Sequence, residues 1–558
     1  MALGTFDRSD NVGRLGEGTF DVLVVGGGIT GTGVALDAAA RGLSVALVER
    51  HDFAAGTSSK SSKLVHGGLR YLQNGDVRLV YEALHERQRL LGNAPHLVKV
   101  LPFLIPIFEG KGGVIPKQVA RALGSAMWMY DLTGGFRIGR LHRRLKRDEA
   151  LAHMPTLDER LAWAYLYYDA QADDARLTLA VARTAALDFG ATIVNHAAVV
   201  GLLKDGDRTT GALVDTGDAQ VEVRARVVVN ATGVWADDVR ALDEGEHPDS
   251  IRPAKGVHIT VPWEKVRNDI AAVVPVPQDR RSIFVVPWPG PDGMVGGPGS
   301  FTYIGTTDTD YEGDVEDPQC TADDVAYLLG AMNRSLREPI DETDVVGTWA
   351  GLRPLVKAAS SGRTADLSRR HRVSPSASGV ITVTGGKLTT YREMAEDTVD
   401  AALALLGDDV SRGARRHRTA KLRLRGAEGW ADERAEDLHL ADRYGGEARV
   451  VRAMIDAEPA LGEPLMPGLP YRRAEAVYAA RYEMATNLGD VLARRTRATL
   501  LGRDATAAAA DEVAALVGDE LGWSARERSV QAATLRATID HERAVPGLPE
   551  TCVLPGRA

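Results

Sequence analysis

The stretch FDVLVVGGGITGTGVALDAAARGLSVALVE, residues 20–49, decides the fold. Residues 20–25 are an apolar run of strand length. The next six, GGGITG, set glycines at Gly26, Gly28 and Gly31, a run of small side chains over 32–42 reads as a helix, and 44–48 form a second apolar strand closed by Glu49. Strand, glycine turn, helix and strand in this order predict a βαβ unit that binds a dinucleotide. The first glycine makes the tight turn, the second lets a pyrophosphate approach the backbone, and the third lets helix and strand pack closely. The helix N-terminus then meets the phosphates with free N–H groups and the positive end of its dipole. A carboxylate at Glu49 accepts hydrogen bonds from ribose hydroxyls and repels a 2′-phosphate, which disfavours NADP. A glycine turn serving packing alone would leave Glu49 unexplained.

Working outward, two further strand-to-helix junctions share this texture. Residues 225–229 run into Asn230-Ala231-Thr232-Gly233 and a helix from about Trp235; residues 380–383 run into Thr384-Gly385-Gly386 and a helix from Lys387 to about Leu406. Strands alternating with helices argue for a parallel sheet covered on both faces. Between the junctions, residues 252–310 alternate polar and apolar in short runs broken by Pro and Gly, which is antiparallel texture. From about 405 the chain is rich in Ala, Arg and Glu at helical spacing, with Tyr478, Tyr482, Ala485, Leu488 and Leu492 predicted on one stripe.

Composition narrows the classes. The chain has 558 residues, a length that suggests three to four domain-sized units, and a net charge of −9, so no global basic field draws nucleic acid. Two cysteines, Cys320 and Cys552, exclude a disulfide scaffold and a four-thiolate cluster and leave no metal site in view. Lysines are scarce, 12 against 55 arginines, yet Lys60, Lys63 and Lys387 all fall in motifs described below. The N-terminus lacks the apolar run of a signal peptide and no stretch is long and apolar enough for a spanning helix, so the expectation is a cytoplasmic protein with room for peripheral contact at the inner face of the membrane. Residues 111–147 carry nine basic side chains against Asp131 alone, interrupted by Met127, Trp128, Met129 and Tyr130, a pattern that could dock on anionic lipid.

After Glu49 the segment GTSSKSSKLVHGGLRY, residues 56–71, is dense in hydroxyls and glycine, and suits an extended cofactor whose far end is held against a reaction centre. Here the chain resembles the FAD-dependent glycerol-3-phosphate dehydrogenase family, within the wider D-amino-acid-oxidase-like flavoproteins. The motifs that carry the resemblance are GGGITGTGVALDAAARG (26–42), SSKLVHGGLRYL (61–72), NATGVWADD (230–238), GTTDTDY (305–311), GLRPL (351–355), TGGKLTTYREMAE (384–396) and RYEMATNLGDVLARRTR (481–497). The resemblance implies an α/β fold: a Rossmann-like FAD-binding domain from 18–95, 170–250 and 345–404, an interleaved antiparallel substrate domain from 96–169 and 251–344, and a C-terminal α-helical domain over 405–558. It implies noncovalent FAD, oxidation of glycerol 3-phosphate to dihydroxyacetone phosphate, and electron transfer to a membrane quinone. On this sequence the cofactor positions are Gly26, Gly28, Gly31, Glu49, Ser61, Ser62, Lys63, Leu64, His66, Gly233, Gly386, Leu388 and Thr389. The substrate positions are Arg70, Tyr71, Arg353 and Lys387, with Arg369 favoured over Arg370 and Arg372.

The chemistry agrees with that assignment. A phosphate calls for convergent arginines, whose planar forks match it bidentately. Arg70 follows the Gly67-Gly68 turn, and Arg353 precedes Pro354 in what reads as a glycine-bounded loop. The helix N-terminus after Gly385-Gly386, aided by the Thr389 and Thr390 hydroxyls, would stabilise negative charge on a reduced flavin. Alcohol oxidation needs a base, for which His258 is the first candidate and His66 the second. With no second redox centre visible, electrons must leave to an outside acceptor. Other readings are an oxidase using oxygen, a dehydrogenase of another 2-hydroxy acid or an amine, and, outside enzymes, a redox-inactive flavin-binding scaffold. A homodimer joined through the C-terminal helices is a further expectation.

Overall fold

The computed structural model describes residues 6–68, 77–109, 117–134, 138–276, 281–297, 299–357 and 371–551. Arg70, Tyr71, Arg369 and Arg370 lie outside them, as does Cys552.

The glycine-turn strand Thr19–Val25 sits inside an eight-stranded sheet, in the order Arg372–Pro375, Ile381–Thr384, Gln220–Asn230, Thr19–Val25, Val45–Val48, Thr192–Val194. The last five of these run parallel. The hairpin Ala198–Asp205 and Arg208–Asp215 extends the sheet antiparallel from Gln220–Asn230. Val22 and Val24 enter one hydrophobic cluster while Leu23 and Val25 enter another, so the strand is buried on both faces. The helices Ile29–Ala40, Asp174–Phe189 and Tyr391–Leu405 pack together on the first of those faces.

A second, ten-stranded sheet is mostly antiparallel and runs Thr309–Asp310, Ile251–Pro262, Phe301–Gly305, Arg281–Trp288, Ala271–Val276, Val98–Phe108, Leu161–Ala172, Leu64–Val65. It also holds Gly347–Val356 and Arg143–Lys146. Two segments expected with the cofactor domain therefore lie in this sheet: Leu64–Val65 pairs with Leu161–Ala172, and Gly347–Val356 pairs along its whole length with Ile251–Pro262. Arg353 is thus on a strand, not in a loop. Its neighbour Pro354 is tolerated because, among the described residues, Gly347–Val356 pairs on one side only and needs no amide donor on the other.

Beyond Asp408 the described chain is helical. The stripe predicted through Tyr478 and Leu492 is not one helix. Arg473–Tyr482 stops at Glu483, whose buried carboxylate pairs with Arg176 at 2.7 Å, and a π-helical turn, Asp490–Arg495, follows after a break. Tyr482 is consequently exposed while Ala485, Leu488 and Leu492 are buried.

Buried charge helps fasten this helical domain, beside an apolar cluster that joins Phe301 and Val346 to its helices. Asp52, just after the second strand, is fully buried and accepts from Arg495 Nη1 at 2.6 Å, Arg495 Nη2 at 2.7 Å and Arg494 Nε at 2.6 Å. Arg494 also pairs with Asp490, which bonds His196 Nε2 at 3.0 Å. Asp52, His196 and Asp490 are close enough to suggest a metal cage, but the two guanidiniums already supply the positive charge. Removing one partner of such a pair leaves a buried carboxylate short of compensation. Arg495→Met is expected to cost about 3 kcal/mol of stability, read as a lower midpoint in urea unfolding; an unchanged midpoint would mean that Arg494 alone neutralises Asp52.

Candidate active site

The glycine turn forms one wall of a cavity of about 240 Å3 whose lining includes Gly26, Glu49, Ser58, Trp235, Gly386 and Leu388. Gly26 adopts φ +111°, and a Cβ on Gly31 would stand 1.9 Å from the Gly26 carbonyl oxygen, so only hydrogen fits there. Gly28 caps the helix Ile29–Ala40 without a side-chain bond, and Ser58 Oγ accepts from the Ile29 amide at 2.9 Å. Glu49 is held by two backbone donors, Gly27 N–H at 2.6 Å and His51 N–H at 2.8 Å, while burial pushes its carboxyl pKa up. Gly233, at φ +64°, and Gly385, at φ +76°, bring the two later junctions to the same cavity. The indole Nε1 of Trp235 is buried with no hydrogen-bond partner among the described residues, a donor left for a ligand. A dinucleotide fits these features: an acid for ribose, a glycine cradle at a helix N-terminus for pyrophosphate, and a far end at 385–388.

The hydroxyl-rich segment is pinned from behind by Asp174. Its Oδ2 accepts from Ser61 N–H at 3.0 Å and Ser61 Oγ at 2.6 Å, and its Oδ1 from Lys63 Nζ at 3.2 Å. Arg497, from the helical domain, also pairs with Asp174 and donates to the Ser59 carbonyl at 3.3 Å. Burial draws the Lys63 ammonium down to about 8 although Asp174 opposes it, and its Nζ sits 4.6 Å from the Trp349 ring centroid. Lys63 thus faces Asp174 and Trp349 from inside the protein. Leu64 is buried in the short strand beside it.

His258 is 2% exposed, its Nε2 lies 2.9 Å from Ser62 Oγ, and its ring stacks on Trp349 at 4.7 Å with 8° between planes. Burial, with Lys63 and Arg353 nearby, holds its pKa well below that of free histidine, so the imidazole is neutral. Arg353 donates to Thr306 Oγ1 at 3.1 Å, Asp308 Oδ1 at 3.1 Å and the Thr307 carbonyl at 3.3 Å. Both side chains are cleared by glycines on neighbouring strands. A Cβ on Gly305 would fall 2.0 Å from His258 Cδ2, and one on Gly256 would fall 2.5 Å from Arg353 Nη2. Pro354 and Lys387 line the dinucleotide cavity, which places the Arg353 strand beside the 385–388 turn.

His66 is joined to that turn through its backbone: its N–H donates to Thr389 Oγ1 at 3.1 Å, and that hydroxyl donates to the His66 carbonyl at 3.3 Å. The His66 ring packs edge-on to Phe284 at 6.1 Å. Thr389 and Thr390 are buried and bonded to backbone, the latter to the Lys387 carbonyl at 3.5 Å, so their hydroxyls shape the turn. A 3-10 turn, Leu388–Thr390, precedes the helix Tyr391–Leu405. Sequence reasoning missed Asp308, Trp349, Asp174 and Arg497. Asp308 and Arg497 carried a signal, lying inside the quoted GTTDTDY and RYEMATNLGDVLARRTR motifs; Trp349 and Asp174 match nothing local.

Two family profiles match the chain, FAD dependent oxidoreductase over residues 21–400 and the C-terminal domain of alpha-glycerophosphate oxidase over residues 401–528. The glycerol-3-phosphate dehydrogenase 2 of Mycobacterium tuberculosis (strain ATCC 25618 / H37Rv) is 41% identical over 560 residues, covering 97% of this chain and 92% of that protein. The mitochondrial glycerol-3-phosphate dehydrogenase of Homo sapiens is 37% identical, covering 94% of this chain and 73% of the relative. Among solved structures, the glycerol-3-phosphate dehydrogenase of Bacillus halodurans complexed with FAD superposes with a TM-score of 0.72 at 29% identity, covering 96% of this chain and 97% of that one. With its glycine cradle, its two sheets and its helical domain all matched, the chain belongs to the FAD-dependent glycerol-3-phosphate dehydrogenase family.

Proposed function

We propose that this protein oxidises sn-glycerol 3-phosphate to dihydroxyacetone phosphate with FAD as cofactor and passes the electrons to a membrane quinone. The observation that carries the reading is the placement of a neutral, buried His258 and a carboxylate-oriented Arg353 on paired and adjoining strands, with Pro354 on the wall of the dinucleotide cavity. FAD, when bound, accepts the hydride that leaves C2 of the alcohol. Gly26, Gly28, Gly31, Glu49 and Gly233 hold its nucleotide half, and the segments 61–64 and 386–389 hold the flavin end.

The remaining work falls to side chains. With Nε2 bonded to Ser62, His258 Nδ1 is the ring nitrogen without a partner among the described residues, and it takes the hydroxyl proton. Trp349, stacked on the ring and held by its own Nε1–H to the Ser61 carbonyl at 3.3 Å, fixes the plane of the imidazole. Arg353, oriented by Asp308 and Thr306, presents its guanidinium to the phosphate dianion, with Lys387, Arg70, Tyr71 and Arg369 as further contacts. A substrate without a phosphate, whether 2-hydroxy acid or amine, would not need this set.

Anaerobic addition of glycerol 3-phosphate is expected to bleach the yellow holoenzyme, and Arg353→Ala to lower kcat/KM roughly 100-fold, about 3 kcal/mol of lost charge-assisted binding. Absence of bleaching would favour a redox-inactive scaffold, and rapid peroxide formation in air would favour oxygen as acceptor. Because the folded pKa of His258 is depressed, its neutral form persists below the usual histidine range. The acid limb of kcat/KM is therefore expected below pH 6.5, the ordinary value. A limb at 6.5 or above that survives His258→Asn would move the base elsewhere, to His66 first.

The quinone requires access to lipid. No helix among the described residues is long and apolar enough to cross a membrane. The MWMY segment splits its side chains: Met127 and Tyr130 are buried, while Trp128 is 56% and Leu132 75% exposed, with Met129 and Leu141 exposed beside them. Around this patch Arg140, Arg143, Arg144, Lys146 and Arg147 are exposed, Arg144 lying 4.1 Å over the Trp163 ring. Exposed apolar groups rimmed by cations suit shallow insertion into anionic lipid. Changing Arg140, Arg143, Arg144 and Arg147 to Glu is expected to release the enzyme from anionic liposomes in co-sedimentation; unchanged binding would place the quinone contact on another surface.

A further inference from the structure

A second cavity, of about 480 Å3, lies where the helical domain meets the strand Gly347–Val356. Its volume is in the range of roughly 300–1,000 Å3 typical of small-molecule sites. It shares Ala55 with the dinucleotide cavity, so the segment 55–60 separates the two. Trp349 lines it as well, and that indole is the one stacked on His258. From the opposite side the helix Ala525–Ala544 contributes Gln531, Thr534, Thr538 and Glu542, whose spacing sets them along one face. Thr534 and Thr538 are exposed, which puts the mouth of the cavity at solvent.

The charges lining it are unevenly satisfied. Arg494 is paired with Asp52 and Asp490, and Arg497 with Asp173 and Asp174. Lys60 and Glu542 have no ion pair or side-chain hydrogen bond among the described residues. Desolvation pushes the Lys60 ammonium down and the Glu542 carboxyl up to about 7, each feeling the other's charge without touching it, and Asp317, a second acid in the lining, supports the ammonium and raises Glu542 further. A desolvated cation without a contact partner gains most from an incoming anion, and a carboxyl short of donors gains from a hydroxyl.

We propose that this cavity binds a small hydroxylated anion, a carboxylate or a phosphate ester, with its anionic group on Lys60 and a hydroxyl donated to Glu542. Such a ligand rests against the wall of the segment 55–60 and against the indole that stacks on His258. It is separate from the anion site assigned to Arg353, which allows the two to be told apart.

The test is calorimetric titration of the FAD-loaded protein with D-glycerate and with inorganic phosphate. Arg353→Ala removes the substrate anion site; this arm rests on the function proposed above, and full turnover by that variant would sink that proposal alone. In the Arg353→Ala background at least one probe is expected to bind at a single site. Adding Lys60→Met is expected to weaken that binding roughly tenfold or more. Thr538→Trp, on the exposed rim and away from any core, should weaken it similarly by closing the mouth. Which probe binds tells carboxylate from phosphate. No binding of either probe to Arg353→Ala, or binding indifferent to both second changes, overturns the inference.

Discussion

The carboxylate of Asp174 is the point on which three parts of the molecule converge. It begins the helix Asp174–Phe189 that covers the parallel sheet, holds Ser61 and Lys63 of the flavin segment, and receives Arg497 from the helical domain. A buried carboxylate must find compensating donors or shift its protonation. Here that requirement is met by residues far apart in sequence, so satisfying one charge sets the position of the cofactor segment. From there the effect reaches the site: Ser62 is bonded to His258, and Ser61 to the indole that stacks on it.

The two sheets divide the labour along that line. The parallel sheet presents its turns and helix N-terminus to a cofactor, as expected where strands end in an open α/β fold. The antiparallel sheet carries His258 and Arg353, the side chains proposed to act on the substrate, on strand interiors, where neighbours restrict rotamers more than a loop would. Gly256 and Gly305 show how tight that restriction is, since each yields the space of a side chain to Arg353 or His258. Within this frame His258 needs no solvent to stay neutral, and Arg353 needs no substrate to stay oriented.

Much of this was legible in the sequence where a local pattern had a local cause. The glycine spacing of 26–31, the acid at Glu49 and the two later junctions at 230–233 and 384–386 each announce a backbone conformation, and each is found at the cofactor cavity. What escaped reading has a long-range cause. Arg353 looked like a loop residue because Gly351 and Pro354 are breakers in isolation, yet pairing with Ile251–Pro262 overrides them. The stripe through Tyr478 and Tyr482 failed at Glu483, which is turned inward by Arg176, more than 300 positions away. Arg494, Arg495 and Arg497 fall inside the quoted motif 481–497, yet nothing near them marks their partners as Asp52, Asp173 and Asp174.

The strand Gly347–Val356 bears on how such a protein could be shortened. Among the described residues it pairs with one neighbour only, and the helical domain covers its Gly347 end: a Cβ on Gly347 would fall 2.1 Å from the Leu500 carbonyl oxygen, and the Arg503 amide bonds the Val346 carbonyl at 2.9 Å. Cutting the chain near residue 400 to leave a minimal flavin module would uncover the Gly347 end of this strand and the Val346 carbonyl that Arg503 now satisfies. That is a template for another copy to add a strand, and the product would be self-association, not a smaller enzyme.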